Sequence, residues 1–286
     1  MKNRIWLLFA IVTTLFWGVW GAFIEIPEKA GFPATLGYSV WALTMIPCAI
    51  VALKIIGWKL EADPYSVFLG STVGLLGAGG QLILFETLRL GPAYLVFPII
   101  SLYPVVTVIL SLAILKERAS RRASVGIALA LVAMGLLSYQ PPSGSSAQGY
   151  LWLGLAIAVF FMWGIQAFVM KFSTERMKAE SIFFYMMATA LALVPVALLM
   201  TDFSQPINWG FKGPYLAALV QVLNAIGALC LVYAVRYGKA IVVVPMTSLA
   251  PVLTIIISLI IYGVFPHQVL MAGMVLAGTA IYLMAE

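Results

Sequence analysis

Charge is what this sequence has least of: 9% of its 286 residues are charged and 63% are hydrophobic, whereas soluble domains usually carry about a quarter charged residues. A chain with so little polar surface to offer water is excluded from the soluble globular class. Histidine and cysteine are nearly absent too, with one of the first, His267, and two of the second, Cys48 and Cys230. Both cysteines fall inside apolar runs, where a thiol packs as a small hydrophobe, so neither a disulfide framework nor a metal cluster is indicated. No Asp, Glu, His, Lys or Arg falls in the middle of an apolar run. The runs therefore lack a nucleophile with its base, a carboxylate pair and a ligand set, which argues against a membrane enzyme and against any metal or cofactor. The same lack argues against a buried proton-relay carboxylate and against a basic pocket for phosphorylated substrates.

What is present is a series of apolar runs, each long enough to cross about 30 Å of hydrocarbon. Helical spans are expected at 5–26, 36–56, 66–88, 93–115, 123–139, 149–170, 181–200, 215–235, 240–262 and 269–285. The start, Met1-Lys2-Asn3-Arg4 before an apolar stretch, imitates a signal peptide, but the stretch is long and no small-residue cleavage pattern closes it, so it is read as a permanent helix. The connector 140–148 is polar and rich in Pro, Gly and Ser. It separates a first repeat at 1–139 from a second at 149–286.

The net charge of +6 would suggest nucleic acid in a soluble protein. Here the basic residues sort by loop instead, since they accumulate on the cytoplasmic side. With the N-terminus inside, the cytoplasmic loops and span ends hold 13 of the 16 basic residues, leaving Lys29, Arg89 and Lys212 outside. Both termini are thus expected in the cytoplasm of a bacterial inner membrane, with the 140–148 connector outside and no nucleic-acid partner.

Sliding 89–112 by 147 positions onto 236–259 gives 13 identities in 24. They include Arg89/Arg236, Gly91/Gly238, Pro98/Pro245, Ser101/Ser248, Pro104/Pro251, Thr107/Thr254 and Ser111/Ser258, which shared apolar composition does not easily produce. A weaker echo pairs Trp17-Gly18 with Trp163-Gly164. Five spans per half is an odd number, so the halves enter the membrane from opposite sides. Inverted repeats of this kind supply alternating access, with the substrate site near the midplane.

These residues resemble the drug/metabolite transporter superfamily, in particular its ten-helix EamA-type branch. Leu15-Phe16-Trp17-Gly18, Gly91-Pro92-Ala93, Pro98-Ile99-Ile100-Ser101-Leu102-Tyr103-Pro104 and Leu115-Lys116-Glu117-Arg118 carry the resemblance, and the second half repeats the proline-serine-proline core at 245–251. The second half departs from the pattern where Gly263-Val264-Phe265 stands in place of Lys116-Glu117-Arg118. The resemblance implies an all-α integral membrane fold: ten transmembrane helices as two inverted five-helix repeats around a central cavity, lined mainly by spans 1, 3, 4, 6, 8 and 9. It implies no particular substrate.

The candidate site follows from polar and aromatic residues placed inside those spans. Pro98, Pro104, Pro245 and Pro251 each remove an intrahelical hydrogen bond and bend their span. Such a bend, facing a wet cavity, offers freed carbonyls and the Ser101 or Ser248 hydroxyl to a substrate; the alternative is a packing kink whose serine bonds its own backbone. Tyr103 and Thr247 belong to the same segments. Gln81, Gln166, Gln221 and Asn224 are expensive in hydrocarbon and are expected inside the bundle, as a polar site or as interhelical ties. Trp17, Trp20 and Trp163 lie too deep for an interfacial belt and are either a flat wall for a substrate or bundle packing. Gly70 and Gly74 form a small-xxx-small pair for close helix packing.

The expected function is a secondary carrier for a small neutral or zwitterionic metabolite, amino acids first, acting as exporter or facilitator. Sugars, nucleosides and a lipid-linked cargo remain alternatives, and a pore is a further rival that unsaturated flux would reveal. The expected partners are the small-molecule substrate and membrane lipid, with a monomer or weak homodimer as the assembly.

Overall fold

The computed structural model describes residues 4–139, 150–262 and 267–285. The connector at 140–148 and the segment 263–265 lie outside the described residues. Every regular element among those described is helical.

The first expected span is α1 (Ile5–Phe23), continued after Ile24 by α2 (Glu25–Lys29). Next come α3 (Ala34–Ile55), α4 (Pro64–Leu90), the pair α5 (Ala93–Ser101) and α6 (Pro104–Ala113), and α7 (Arg121–Leu137). The second half holds α8 (Leu151–Ser173), the pair α9 (Ala179–Ala192) and α10 (Val194–Leu199), and a π-helical turn Phe211–Tyr215 that leads into α11 (Leu216–Tyr237). It closes with the pair α12 (Ala240–Thr247) and α13 (Pro251–Tyr262), then α14 (Gln268–Met284). Eight of these stretches are long and apolar enough to cross a membrane. The other two expected spans coincide with α7 and α14, each of 17 residues, or about 26 Å at 1.5 Å per residue. Those two pack along one another.

Local chemistry sets several boundaries. Asp63 caps α4, accepting from the Ser66 amide at 3.2 Å and the Ser66 hydroxyl at 2.5 Å, with Pro64 at the first helical position. Those hydrogen bonds hold the Asp63 carboxyl below its ordinary value. Ser120 caps α7 through the Ala123 amide at 3.1 Å, and His267 Nδ1 caps α14 through the Val269 amide at 3.3 Å. The lone histidine is thus a helix cap. In both proline-bracketed spans the first proline, Pro98 or Pro245, sits inside a helix, and the second, Pro104 or Pro251, opens a new one. The expected bends are therefore full breaks. A break at Leu193, just before Pro195, also divides the span expected at 181–200, whereas Pro47 leaves α3 in one piece.

Loops sort into two groups, one at each end of the bundle. At the end where α1 begins, Glu61 accepts from the Lys178 amide at 3.4 Å and from the Ser181 hydroxyl. There too Arg236 donates to the Met177 carbonyl at 2.7 Å and Lys239 to the Arg118 carbonyl at 2.5 Å. At the far end Asn208 donates from its amide nitrogens to Gly31 and Ala30 carbonyls, both at 3.0 Å. Glu86 and Arg89 pair there at 2.5 Å, as the i,i+3 spacing predicts. The first end collects most of the basic residues and is called the basic end below.

Glycines let the central helices approach closely. A Cβ added at Gly70 or Gly74 of α4 would overlap Tyr185 or Thr189 of α9, and one added at Gly77 or Gly80 would overlap Gln166 or Trp163 of α8. The expected Gly70/Gly74 pair is thus a packing face, and it extends two turns further along α4.

Candidate functional site

The candidate site lies where α1, α4, α8 and α11 meet the two proline-bracketed spans, and it is built twice. Trp163 Nε1 donates to the Gly77 carbonyl at 3.3 Å, and Trp17 Nε1 donates to the Asn224 carbonyl at 3.4 Å. Positions 77 and 224 are 147 residues apart, the same offset as in the sequence repeat. Thr107 donates to the Gly164 carbonyl at 2.8 Å and Thr254 to the Gly18 carbonyl at 3.0 Å. Each of these four bonds joins one repeat to the other. The glycines permit the contact, since a Cβ at Gly18 would overlap Leu253 and one at Gly164 would overlap Val106.

Two clusters of expected site residues form around this frame. In the first, the Tyr103 and Ser248 hydroxyls are 2.8 Å apart, and the Tyr103 ring stands edge-on to Trp163 with centroids 6.0 Å apart. Ser248 also donates to its own Val244 carbonyl at 2.8 Å, so Tyr103 is the donor in the bond between them. In the second, Gln221 Oε1 accepts from Trp20 Nε1 at 3.0 Å and Asn224 Nδ2 at 3.4 Å, while Gln221 Nε2 donates to the Gly37 carbonyl at 3.2 Å. Gln221 is buried and ties α11 to α1 and α3.

Other expected residues stand apart. Ser101 donates to its own Pro98 carbonyl at 3.0 Å, the self-bonding alternative. Thr247 is buried and spends its hydroxyl on Val243 at 3.0 Å and Val244 at 3.2 Å. Gln81 and Gln166 are half-buried, and no side-chain hydrogen bond to either occurs among the described residues. No Asp, Glu, His, Lys or Arg belongs to either cluster, and no group of metal-ligating residues occurs among the described residues.

The sequence reading missed a charged cluster at the basic end. Glu117 accepts from the Ala240 amide at 3.2 Å and the Ile241 amide at 3.1 Å, at the start of α12. Lys171, at the end of α8, donates to the Val235 carbonyl at 3.0 Å and the Gly238 carbonyl at 2.7 Å, at the end of α11. The two charges are 3.9 Å apart, with side chains only 9% and 16% exposed. The available signal was Leu115-Lys116-Glu117-Arg118, whose acid closes the fourth span.

Residues 4–139 and 150–285 each match the EamA-like transporter family, so the two halves match the same description separately. The chain belongs to the EamA-like transporter family. As a member it is a multi-pass membrane protein of a family that transports small molecules. It is 30% identical over 108 residues to an uncharacterized protein of Methanocaldococcus jannaschii, covering 38% of this chain and 75% of that one. Protein LicB of Haemophilus influenzae is 29% identical over 140 residues, 46% of this chain and 47% of LicB. A solved crystal structure superposes with a TM-score of 0.81 at 18% identity, covering 99% of this chain and 96% of the other, a likeness of fold.

Proposed function

We propose that this chain is a secondary transporter that carries a small neutral or zwitterionic metabolite by alternating access, with amino acids as the leading class. In this reading α7 and α14 are the fifth and tenth crossings, and the basic end faces the cytoplasm of a bacterial inner membrane. The observation that carries the reading is the chemistry between the repeats: amides, hydroxyls and indoles, with no fixed charge among them.

A strongly anionic cargo held there would need a cation beside it, and a cationic one a carboxylate, because an unpaired charge out of water is costly. A zwitterion brings compensating charges. The unpartnered amides of Gln81 and Gln166 can donate to its carboxylate or accept from its ammonium. The indole of Trp163, set beside the Tyr103 ring, suits a modest apolar body and an ammonium over its face. Sugars and nucleosides offer hydroxyls to the same amides and form the second reading.

Uptake of labelled amino acids, sugars, nucleosides and sugar phosphates into proteoliposomes tests it, with mutual competition and an imposed pH gradient. Saturable, competitive uptake of amino acids or another neutral class is expected. Uptake confined to phosphorylated anions overturns the electrostatic argument, and flux that never saturates favours a pore.

A further inference from the structure

The pseudo-twofold relation between the repeats is broken in one respect. The arms nearest the basic end, α6 and α12, pack against each other. All eight residues of α12 are buried, as are Pro104, Val106, Thr107 and Ser111 of α6. Their counterparts toward the far end, α5 and α13, share no comparable contact. Only Val96 and Ile100 of α5 are buried among the residues whose side chains are described, and none of α13. The bundle is therefore closed between the broken spans at its basic end and looser at the far end.

The charged pair missed by the sequence reading sits on that closure. Glu117 follows α6 and holds the first amides of α12, so it joins the fourth span of one repeat to the ninth span of the other. A carboxylate at a helix N-terminus and an ammonium at a helix C-terminus each complement the local dipole. Lys171 supplies the second, on α11, and faces Glu117 across 3.9 Å. Parting α12 from α6 strips a buried carboxylate of its two backbone donors, which is unfavourable, and Lys171 on α8 holds the Gly238 carbonyl just before α12 in place beside it. The mirror positions cannot repeat this. Moving 147 positions from Glu117 gives Val264, and moving 146 back from Lys171 gives Glu25; Glu25 pairs with Lys29 on its own helical stretch.

We infer that Glu117 and Lys171 form a one-sided latch holding the basic end shut, and that the described state is the one open toward the far end. The inference rests on the carrier reading above, because a latch matters only if the bundle has a second state. Both are positioning residues: they act on the balance of states and touch no cargo.

Thiol labelling of the full-length protein in membrane vesicles of both orientations tests it without any substrate. In a background lacking Cys48 and Cys230, Val244→Cys reports on buried α12, and Ser101→Cys reports on the break approached from the far end. Lys171→Met and Glu117→Ala should each speed labelling of Val244→Cys from the basic face by about tenfold and slow that of Ser101→Cys from the far face. A tenfold change corresponds to about 1.4 kcal/mol in a two-state balance. Glu117→Gln, which keeps one acceptor oxygen but no charge, should fall between. Unchanged labelling at both reporters overturns the latch. Faster labelling at both overturns it too, since that is loss of packing and not a change of state. Reciprocal labelling in a protein that transports none of the tested metabolites upholds the latch and the second state while removing the proposed cargo class.

Discussion

Thr107 and Thr254, 147 positions apart, each donate to the carbonyl of a glycine on a helix of the opposite repeat, Gly164 at 2.8 Å and Gly18 at 3.0 Å. The pair is a clamp duplicated along with the chain. Thr107→Val and Thr254→Val remove one clamp each with little change of shape. Each is expected to lower stability by about 0.6 kcal/mol, and by no more than about 1.7, the range of such bonds between membrane helices. Unfolding in mixed micelles measures this. The double variant should lose about the sum, because the clamps share no residue.

Under the proposed function, Gln221 is a structural amide and Gln166 one left free for cargo. Gln221→Leu leaves the Trp20 Nε1 and the Gly37 carbonyl without their partner, and is expected to cost about 1–3 kcal/mol of stability. Gln166→Leu removes no described hydrogen bond. It should leave thermal stability nearly unchanged while raising KM for the transported metabolite. Equal losses of stability in the two variants would contradict the division.

Along α4, glycine is required for close approach. Gly74→Ala puts a methyl into the Thr189 side chain and the α9 backbone, and overpacking of this kind costs about 1–3 kcal/mol. Gly154→Ala on α8 meets nothing within 4 Å and should be neutral or slightly stabilising, since alanine is favoured over glycine in a helix. Expression level and melting temperature in detergent distinguish the two.

Sidedness is tested by single cysteines at Ser120, which caps α7 at the basic end, and at Ser204, in the loop before the π-helical turn, without Cys48 and Cys230. An impermeant thiol reagent applied to intact cells should label the Ser204 variant and spare the Ser120 variant. The reverse pattern turns the protein over in the membrane.

The Asp63 cap carries a pH signature. Its carboxyl titrates below its ordinary value because Ser66 hydrogen-bonds the ionised form, so the folded state binds that proton less readily than the unfolded chain. The stabilisation is present above the ordinary carboxylate range and is lost as pH falls through the depressed value. The protection of the Ser66 amide against exchange, relative to its intrinsic rate at each pH, should fall at acid pH in the wild type, and Asp63→Asn should flatten that response.

Much of the architecture was legible because it rests on composition and period. Apolar runs located the helices, and the 147-residue register paired Pro98 with Pro245 and Thr107 with Thr254. Direction of side chains was less accessible. Ser101 and Ser248 occupy equivalent positions, yet Ser248 also meets Tyr103, while the residue that would mirror Tyr103 is Ala250. A repeat search reports the two serines as alike because it cannot see what stands opposite. Glu117 and Lys171 were missed for a related reason: they lie in different repeats, and the groups they meet are backbone amides and carbonyls, which every residue carries and no motif records. Glu61 and Asn208 are likewise 147 positions apart and tie corresponding loops at opposite ends of the bundle, but their side chains differ, so no identity flagged them.

The paired indoles have a consequence for how two copies of one half-chain can diverge. Trp163 and Trp17 each donate to a main-chain oxygen, at Gly77 and Asn224. A carbonyl is supplied by whatever residue occupies the position, so the joint places no demand on the side chain there. One copy was free to keep a glycine, which admits Gln166 against the helix, and the other to hold an asparagine that reaches Gln221. The scaffold stays duplicated while its lining becomes unequal on its two sides, so under the proposed carrier function a cargo held between them would meet two different walls.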